Sequence, residues 1–216
     1  MEACLTTENL EWATPNGRVL GRGITIALKA GELFWIQGPN GSGKSTLIHT
    51  LLGDLKPKKG RVQTPLRPDQ IGYLPQVQNR ECHIPLTLRE VIGLAHRQSF
   101  PCAHWGLLEE SQLDLAWNQA SGGERQRTLF LRELVSAPKL LFLDEPLNHL
   151  DETSKIQMQA TLAQLLTEEG APALILVSHG GLGLTHQLPH GGYRLDLTGD
   201  GSAQLSRIQK LEERLS

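Results

Sequence analysis

The segment "GELFWIQGPNGSGKSTLIHTLLG", Gly31 to Gly53, constrains the fold of this chain more than any other. Its first seven residues form a short apolar run bounded by glycines, the pattern of a strand buried on both faces. Glycines at 38, 41 and 43 then let the backbone curl so that several N–H groups face one point. A helix-forming run, "TLIHTLLG", follows at once. A strand, a glycine loop and a helix in that order place clustered donors at a helix N-terminus, where anions bind. The spacing G-x-x-x-x-G-K-[ST] adds Lys44, which can reach the β- and γ-phosphates of a nucleotide. It also adds Ser45, whose hydroxyl can hold magnesium. The candidate phosphate cradle is Gly38, Pro39, Asn40, Gly41, Ser42, Gly43, Lys44, Ser45 and Thr46.

Two further apolar runs end in chemistry-bearing side chains. "KLLFLDE" ends in Asp144 and Glu145, and "ALILVSH" ends in His179. Helix-like segments lie between the strands, at Lys44–Leu52, Gly122–Val135 and Thr153–Glu169. Alternating strand and helix predicts a doubly wound, mostly parallel sheet whose ligands bind beyond the carboxyl ends of the strands. The glycine loop, the acid pair and His179 should therefore converge. Val77 to Gln119 reads differently. "LTLREVIGLAHR" and "LLEESQLDLAW" have helical spacing, with "QSFPCAHWG" breaking them apart, so a small helical insertion is expected there. "KPKKGR", Lys56–Arg61, reads as a solvated turn, and the tail "SAQLSRIQKLEERLS" as a short amphipathic helix packed on its own domain.

Composition narrows the function classes. The 216 residues suit one large domain, or a domain with a subdomain. With 21 Lys and Arg against 23 Asp and Glu, the formal charge is -2, without the basic excess of a nucleic-acid binder. No apolar run approaches the ~20 residues of a membrane span. The N-terminus lacks the basic-then-apolar layout of a secretory signal. Cys4, Cys82 and Cys102 are odd in number and widely spaced, as expected of reduced cytosolic thiols. His96, Cys102 and His104 lack the spacing of a metal-ligand set.

The acid pair divides its labour once it sits beside a phosphate loop. Asp144 supports magnesium, directly or through water. Glu145 orients and deprotonates the attacking water. His179, at a neighbouring strand end, can hydrogen-bond the γ-phosphate and sense its loss. Gln76, in "IGYLPQ", can touch magnesium or the attacking water while linking the core to the insertion. A second cradle stands at "QASGGERQR", where Ser121, Gly122 and Gly123 precede a helical run. The chain thus carries two anion cradles and one phosphate lysine.

The ordered series "GPNGSGKST", "YLPQ", "SGGERQR", "LLFLDEP", "NHLD" and "LVSH" resembles an ATP-binding cassette ATPase, the nucleotide-binding subunit of a transporter, over nearly the whole chain. The resemblance implies an α/β P-loop NTPase fold, RecA-like. It would have a mostly parallel sheet, N-terminal antiparallel strands and a small helical subdomain. A single cassette domain, 1–216, would comprise a core of 1–76 and 136–216, with the helical part and signature at about 77–135. Walker A is then Gly38–Ser45, the Q-loop Gln76, Walker B Leu140–Glu145, the D-loop Asn148–Asp151 and the switch histidine His179. The implied ligands are ATP and Mg2+, the latter at Ser45, Gln76 and Asp144. Two chains would meet head to tail. In that pairing Ser121, Gly122, Gly123 and Glu124 of one would close over ATP held by the other, and Asp151 would lie in the joining loop. That pairing would explain the second cradle. The further implied partners are an integral membrane permease and, indirectly, a substrate-binding protein. No nucleic acid is among them, and the location is the cytoplasmic face of the membrane.

The departures from the family pattern are specific. Ala120 stands where leucine is usual, and Gly180 stands where an acid often follows the histidine. Thr14 falls near the position of the adenine-stacking aromatic, so either Trp12, two residues earlier, takes over the stacking or the contact is absent. "IGYLPQ" followed soon by "PLT" resembles the ATPases of bacterial zinc, manganese and iron importers. "EPLNHLD" is similar to soluble cassette ATPases that act on ribosomes, the alternative reading.

Overall fold

A computed structural model of the protein describes residues 2–76, 85–95, 106–148, 150–179 and 188–209. The chain enters through two long strands, β1 (Ala3–Ala13) and β2 (Val19–Lys29), paired antiparallel. Burial alternates along much of β2, so one of its faces is covered and the other wet. β3 (Leu33–Gln37) leads through the glycine loop into α1 (Lys44–Leu52). β4 (Lys59–Gln63) then returns to the outer edge of β1, completing a sheet of order β2-β1-β4. The basic segment is thus in part an edge strand rather than a turn. Arg61 and Lys59 reach across to Glu8 and Glu11, keeping their charges at the surface.

A 3-10 turn, Pro68–Gln70, precedes β5 (Ile71–Leu74). The insertion follows with α2 (Leu88–Gly93), α3 (Glu110–Leu113) and α4 (Gly122–Val135). Thr87 caps α2 through a reciprocal box with Glu90. The core resumes with β6 (Leu140–Asp144), α5 (Glu152–Thr167), β7 (Ala173–Val177), β8 (Gly192–Leu197) and β9 (Ala203–Ile208). The main sheet has the order β5-β6-β7-β3-β8-β9 and is parallel except for the final β8–β9 pair.

The apolar runs of β3, β6 and β7 follow from this topology. Phe34, Ile36, Phe142 and Ile175 face a cluster with α1 and the β1–β2 hairpin. Their neighbours Leu33, Trp35, Leu141 and Leu174 face the opposite side, with α4 and α5. Strands covered on both faces must be apolar at every position. Leu88, Val91, Leu113 and Trp117 of the insertion join this second cluster alongside Phe130 and Leu131 of α4.

The tail departs from the expected helix. Ala203–Ile208 forms β9, antiparallel to β8, because the open edge of β8 supplies backbone partners that a surface helix would forgo. Residues 210–216 lie outside the described residues, as do His96, Cys102 and His104. Among the described residues no helix is long and apolar enough to cross a membrane. Nor does any group of three or more His, Cys, Asp or Glu among them form a metal-binding cluster.

Candidate functional site

β3 releases the chain into the loop at Gly38, whose φ of 151° and lack of a side chain are both needed. A Cβ there would lie 2.7 Å from the Leu197 carbonyl oxygen. Gly43, at φ 95°, begins α1 without any side-chain cap, so the first N–H groups of α1 are not taken by a capping side chain. The cleft beside this loop is lined by Thr14, Leu20, Asn40, Gly41, Gly43, Lys44, Ser45, Thr46, Gln76 and Glu145.

Trp12 does not line that cleft. Its side chain is 0% exposed, and its ring fills the space that a Cβ on Gly21 would need. Its indole N–H donates to the Gly43 carbonyl at 3.3 Å. The expectation that Trp12 stacks on adenine is therefore corrected: the ring is a buried pillar beneath the loop, with no face open to a base. The Thr14 hydroxyl in turn accepts from the Arg18 N–H at 3.1 Å, closing the β1–β2 turn.

The parallel strands bring their ends together as the alternation predicts. β6 and β7 are neighbours, Asp144 lies opposite Val177, and the Glu145 N–H donates to the Val177 carbonyl at 3.0 Å. Glu145 adopts φ 52°, unusual for a residue with a side chain, and such strain concentrates at functional sites. Its carboxylate is 8% exposed and meets side chains from four loops. Oε1 lies 2.8 Å from His179 Nε2 and 3.8 Å from Lys44 Nζ. Oε2 accepts from the Gln76 amide at 3.0 Å and also from the Asn148 amide. Lys44 donates to the Gly38 and Pro39 carbonyls at 2.9 and 3.1 Å. Burial holds its ammonium below the usual lysine range, resisted by the charges of Glu145 and Asp144. Burial pushes the Asp144 carboxyl upward, resisted by a hydrogen bond from the Ser45 side chain.

Two contacts escaped the reading from sequence. The amide of Asn148 reaches Glu145 three residues back, a spacing that a tight turn brings together. The Trp35 indole N–H donates at 2.8 Å to the Ser178 hydroxyl, next to His179. Nothing in local sequence signals that pairing of β3 with the end of β7.

The second cradle stands apart from this cleft, and none of its residues lines it. Ser121 caps α4, its hydroxyl accepting from the Glu124 N–H, while the Glu124 carboxylate accepts from the Ser121 N–H at 2.7 Å. The Ser121 hydroxyl in turn donates to the Glu124 carboxylate. A Cβ on Gly122 would meet nothing within 4 Å, so the helix start presents bare backbone. α4 is fastened to the loop after β6 and to the start of α5: Gln126 donates to the Pro146 carbonyl at 3.3 Å and Arg127 to the Ser154 hydroxyl. Asp151 caps α5 by accepting from the Ser154 N–H at 2.7 Å. His149 and Gly180 lie outside the described residues.

The caps carry a pH signature. The backbone N–H of Ser121 holds the Glu124 carboxyl below the usual range. A depressed carboxyl stabilises the fold above its unfolded value, about 4.3 for Glu, and that stability is lost as pH falls through the lower folded value. Glu124→Gln is therefore expected to shrink the fall in melting temperature between about pH 5 and about pH 3. An unchanged acid limb would show that this cap carries no such linkage.

An ABC transporter family profile matches residues 22–148, and the chain belongs to that family. The zinc import ATP-binding protein ZnuC of Rhizobium meliloti is 34% identical over 169 residues, covering 76% of this chain and 55% of that protein. The zinc import ATP-binding protein ZnuC 1 of Hahella chejuensis is 38% identical over 165 residues, covering 76% and 64%. The chain thus matches between about half and two thirds of the length of these relatives. Among solved structures, cbiO1 of Clostridium perfringens, part of the ABC transporter complex cbiONQ, gives a TM-score of 0.75 at 23% identity. That match covers 100% of this chain and 91% of the other, a likeness of fold.

Proposed function

We propose that the chain is the ATP-hydrolysing subunit of a metal-ion importer of the zinc or manganese type, acting as a pair against a separate membrane permease. The observation that carries the reading is the meeting of Lys44, Gln76 and His179 around the Glu145 carboxylate at the mouth of the glycine loop. In this reading the loop N–H groups and Lys44 hold the β- and γ-phosphates of ATP. Glu145 accepts the proton of the attacking water, and His179 bonds the γ-phosphate. Gln76 passes the change to the insertion. Ser121, Gly122 and Gly123 donate to ATP on the opposite chain, with Asp151 in the loop between.

Magnesium fits the donor set. Asp144 Oδ1 is buried with no hydrogen-bond partner among the described residues, and the Ser45 hydroxyl lies against the same carboxylate. Hard oxygen donors of this kind suit Mg2+. Ser45 and Asp144 would hold it, with Gln76 reaching it by its amide oxygen. When bound it would neutralise charge developing on the phosphates.

The importer reading draws support from the zinc import names of the relatives. The ribosomal alternative rests on "EPLNHLD" alone. The test has two arms. Purified protein should release phosphate from Mg-ATP, and Lys44→Ala should lower that rate at least about 100-fold. Expressed in cells, the chain should co-purify from membranes with a permease. Release that survives Lys44→Ala sinks the enzymatic reading, and migration with ribosomes sinks the transport reading.

A further inference from the structure

We infer that Asn148 is the positioning residue of the general base Glu145, an assignment that rests on the ATPase reading above. A carboxylate offers about four acceptor sites and no donor, and here every contact is a donor. Oε2 holds the amides of Gln76 and Asn148, while Oε1 holds His179 and faces Lys44. With both oxygens engaged, the carboxylate has little capacity to accept a proton from water. The donors differ in what else they can reach. Lys44, Gln76 and His179 come from the phosphate loop and the ends of β5 and β7, on the side where the nucleotide binds. Each can be drawn to a phosphate, to the attacking water or to magnesium.

Asn148 is different. It belongs to the same tight turn as Glu145, its backbone N–H donating to the Glu145 carbonyl at 3.1 Å, so it stays beside the carboxylate whatever the other loops do. Once the other donors turn to the nucleotide, its amide keeps hold of Oε2 and leaves Oε1 free for the proton. The turn is itself anchored: Glu145 sits at φ 52°, and Gln126 of α4 holds the Pro146 carbonyl. Because α4 begins at the Ser121 cradle, this contact ties the aim of the base to the helix that meets the opposite chain.

Removing the amide should harm turnover and spare binding. For Asn148→Ala, kcat for phosphate release is expected to fall about tenfold. KM for ATP and the melting temperature should be unchanged. Asn148→Asp keeps the shape but sets a like charge against Glu145, so it should fall further than Asn148→Ala; a purely structural position would rank the two the other way. On a Glu145→Gln background, Asn148→Ala should cause no additional loss. If the wild-type chain turns over and Asn148→Ala matches it, or loses kcat and ATP affinity together, the assignment is overturned and the ATPase reading stands. A wild-type chain that releases no phosphate overturns both.

Discussion

Glu145→Gln is expected to cut the rate of phosphate release by about 100- to 1,000-fold while leaving ATP bound. The substitution is nearly isosteric. Its carbonyl oxygen can still accept from Gln76 or Asn148, so the loop keeps its shape. Two things are lost: the capacity to take a proton from water, and the negative charge 3.8 Å from Lys44. Losing that charge frees the ammonium for the phosphates, so nucleotide affinity should hold or rise. If Ser121 and its glycines close over the opposite chain's ATP, the variant should also accumulate as a nucleotide-bound pair. The measurements are single-turnover phosphate release, retention of labelled ATP, and sedimentation with and without nucleotide. Phosphate release at the wild-type rate would remove Glu145 from its role. A variant that binds ATP and stays monomeric would remove the shared pocket.

The largest effect on stability belongs to Trp12. Its ring is wholly buried among Leu10, Leu20 and other members of the cluster between the hairpin and the main sheet. Trp12→Ala removes a large apolar volume and the hydrogen bond to Gly43, and a cost of roughly 3–5 kcal/mol is expected. A domain of this kind has about 5–15 kcal/mol in total. The melting temperature should therefore drop by about 6–20 °C, at ~2–4 °C per kcal/mol for this length. ATP affinity of the folded fraction should change far less. A variant of normal thermal stability that has lost its affinity for ATP would restore the base-stacking role that burial denies.

Much of this site was legible before any fold was known, because its motifs are local. Gly38–Ser45 must curl, since glycine recurs where positive φ is needed, and the helix behind it supplies the donors. Leu140–Asp144 and Ala173–Val177 were readable as strands because burial on both faces leaves no room for polar residues. The errors share one cause, which is competition between distant segments. Leu205, Ile208, Leu211 and Leu215 follow helical spacing, yet through Ile208 the edge of β8 claims the backbone as a strand. Lys59–Arg61 looks like a charged turn until β1 offers an edge bearing Glu8 and Glu11. Trp12 looks available for stacking until Gly21, on the neighbouring strand, leaves a gap that fits its ring.

By itself, the order of residues determined which groups the site contains: a phosphate lysine, an acid pair, a histidine and two glycine cradles at helix starts. Each is set by spacing within one turn or one strand end, over which the backbone has few alternatives. Only the tertiary structure decided which of them touch. The sheet order places β6 between β5 and β7, and β7 beside β3, although long stretches of chain separate them, and so brings Gln76, His179 and Lys44 to one carboxylate. Strand pairing and burial act between segments remote in sequence, and no local pattern records which partners they choose.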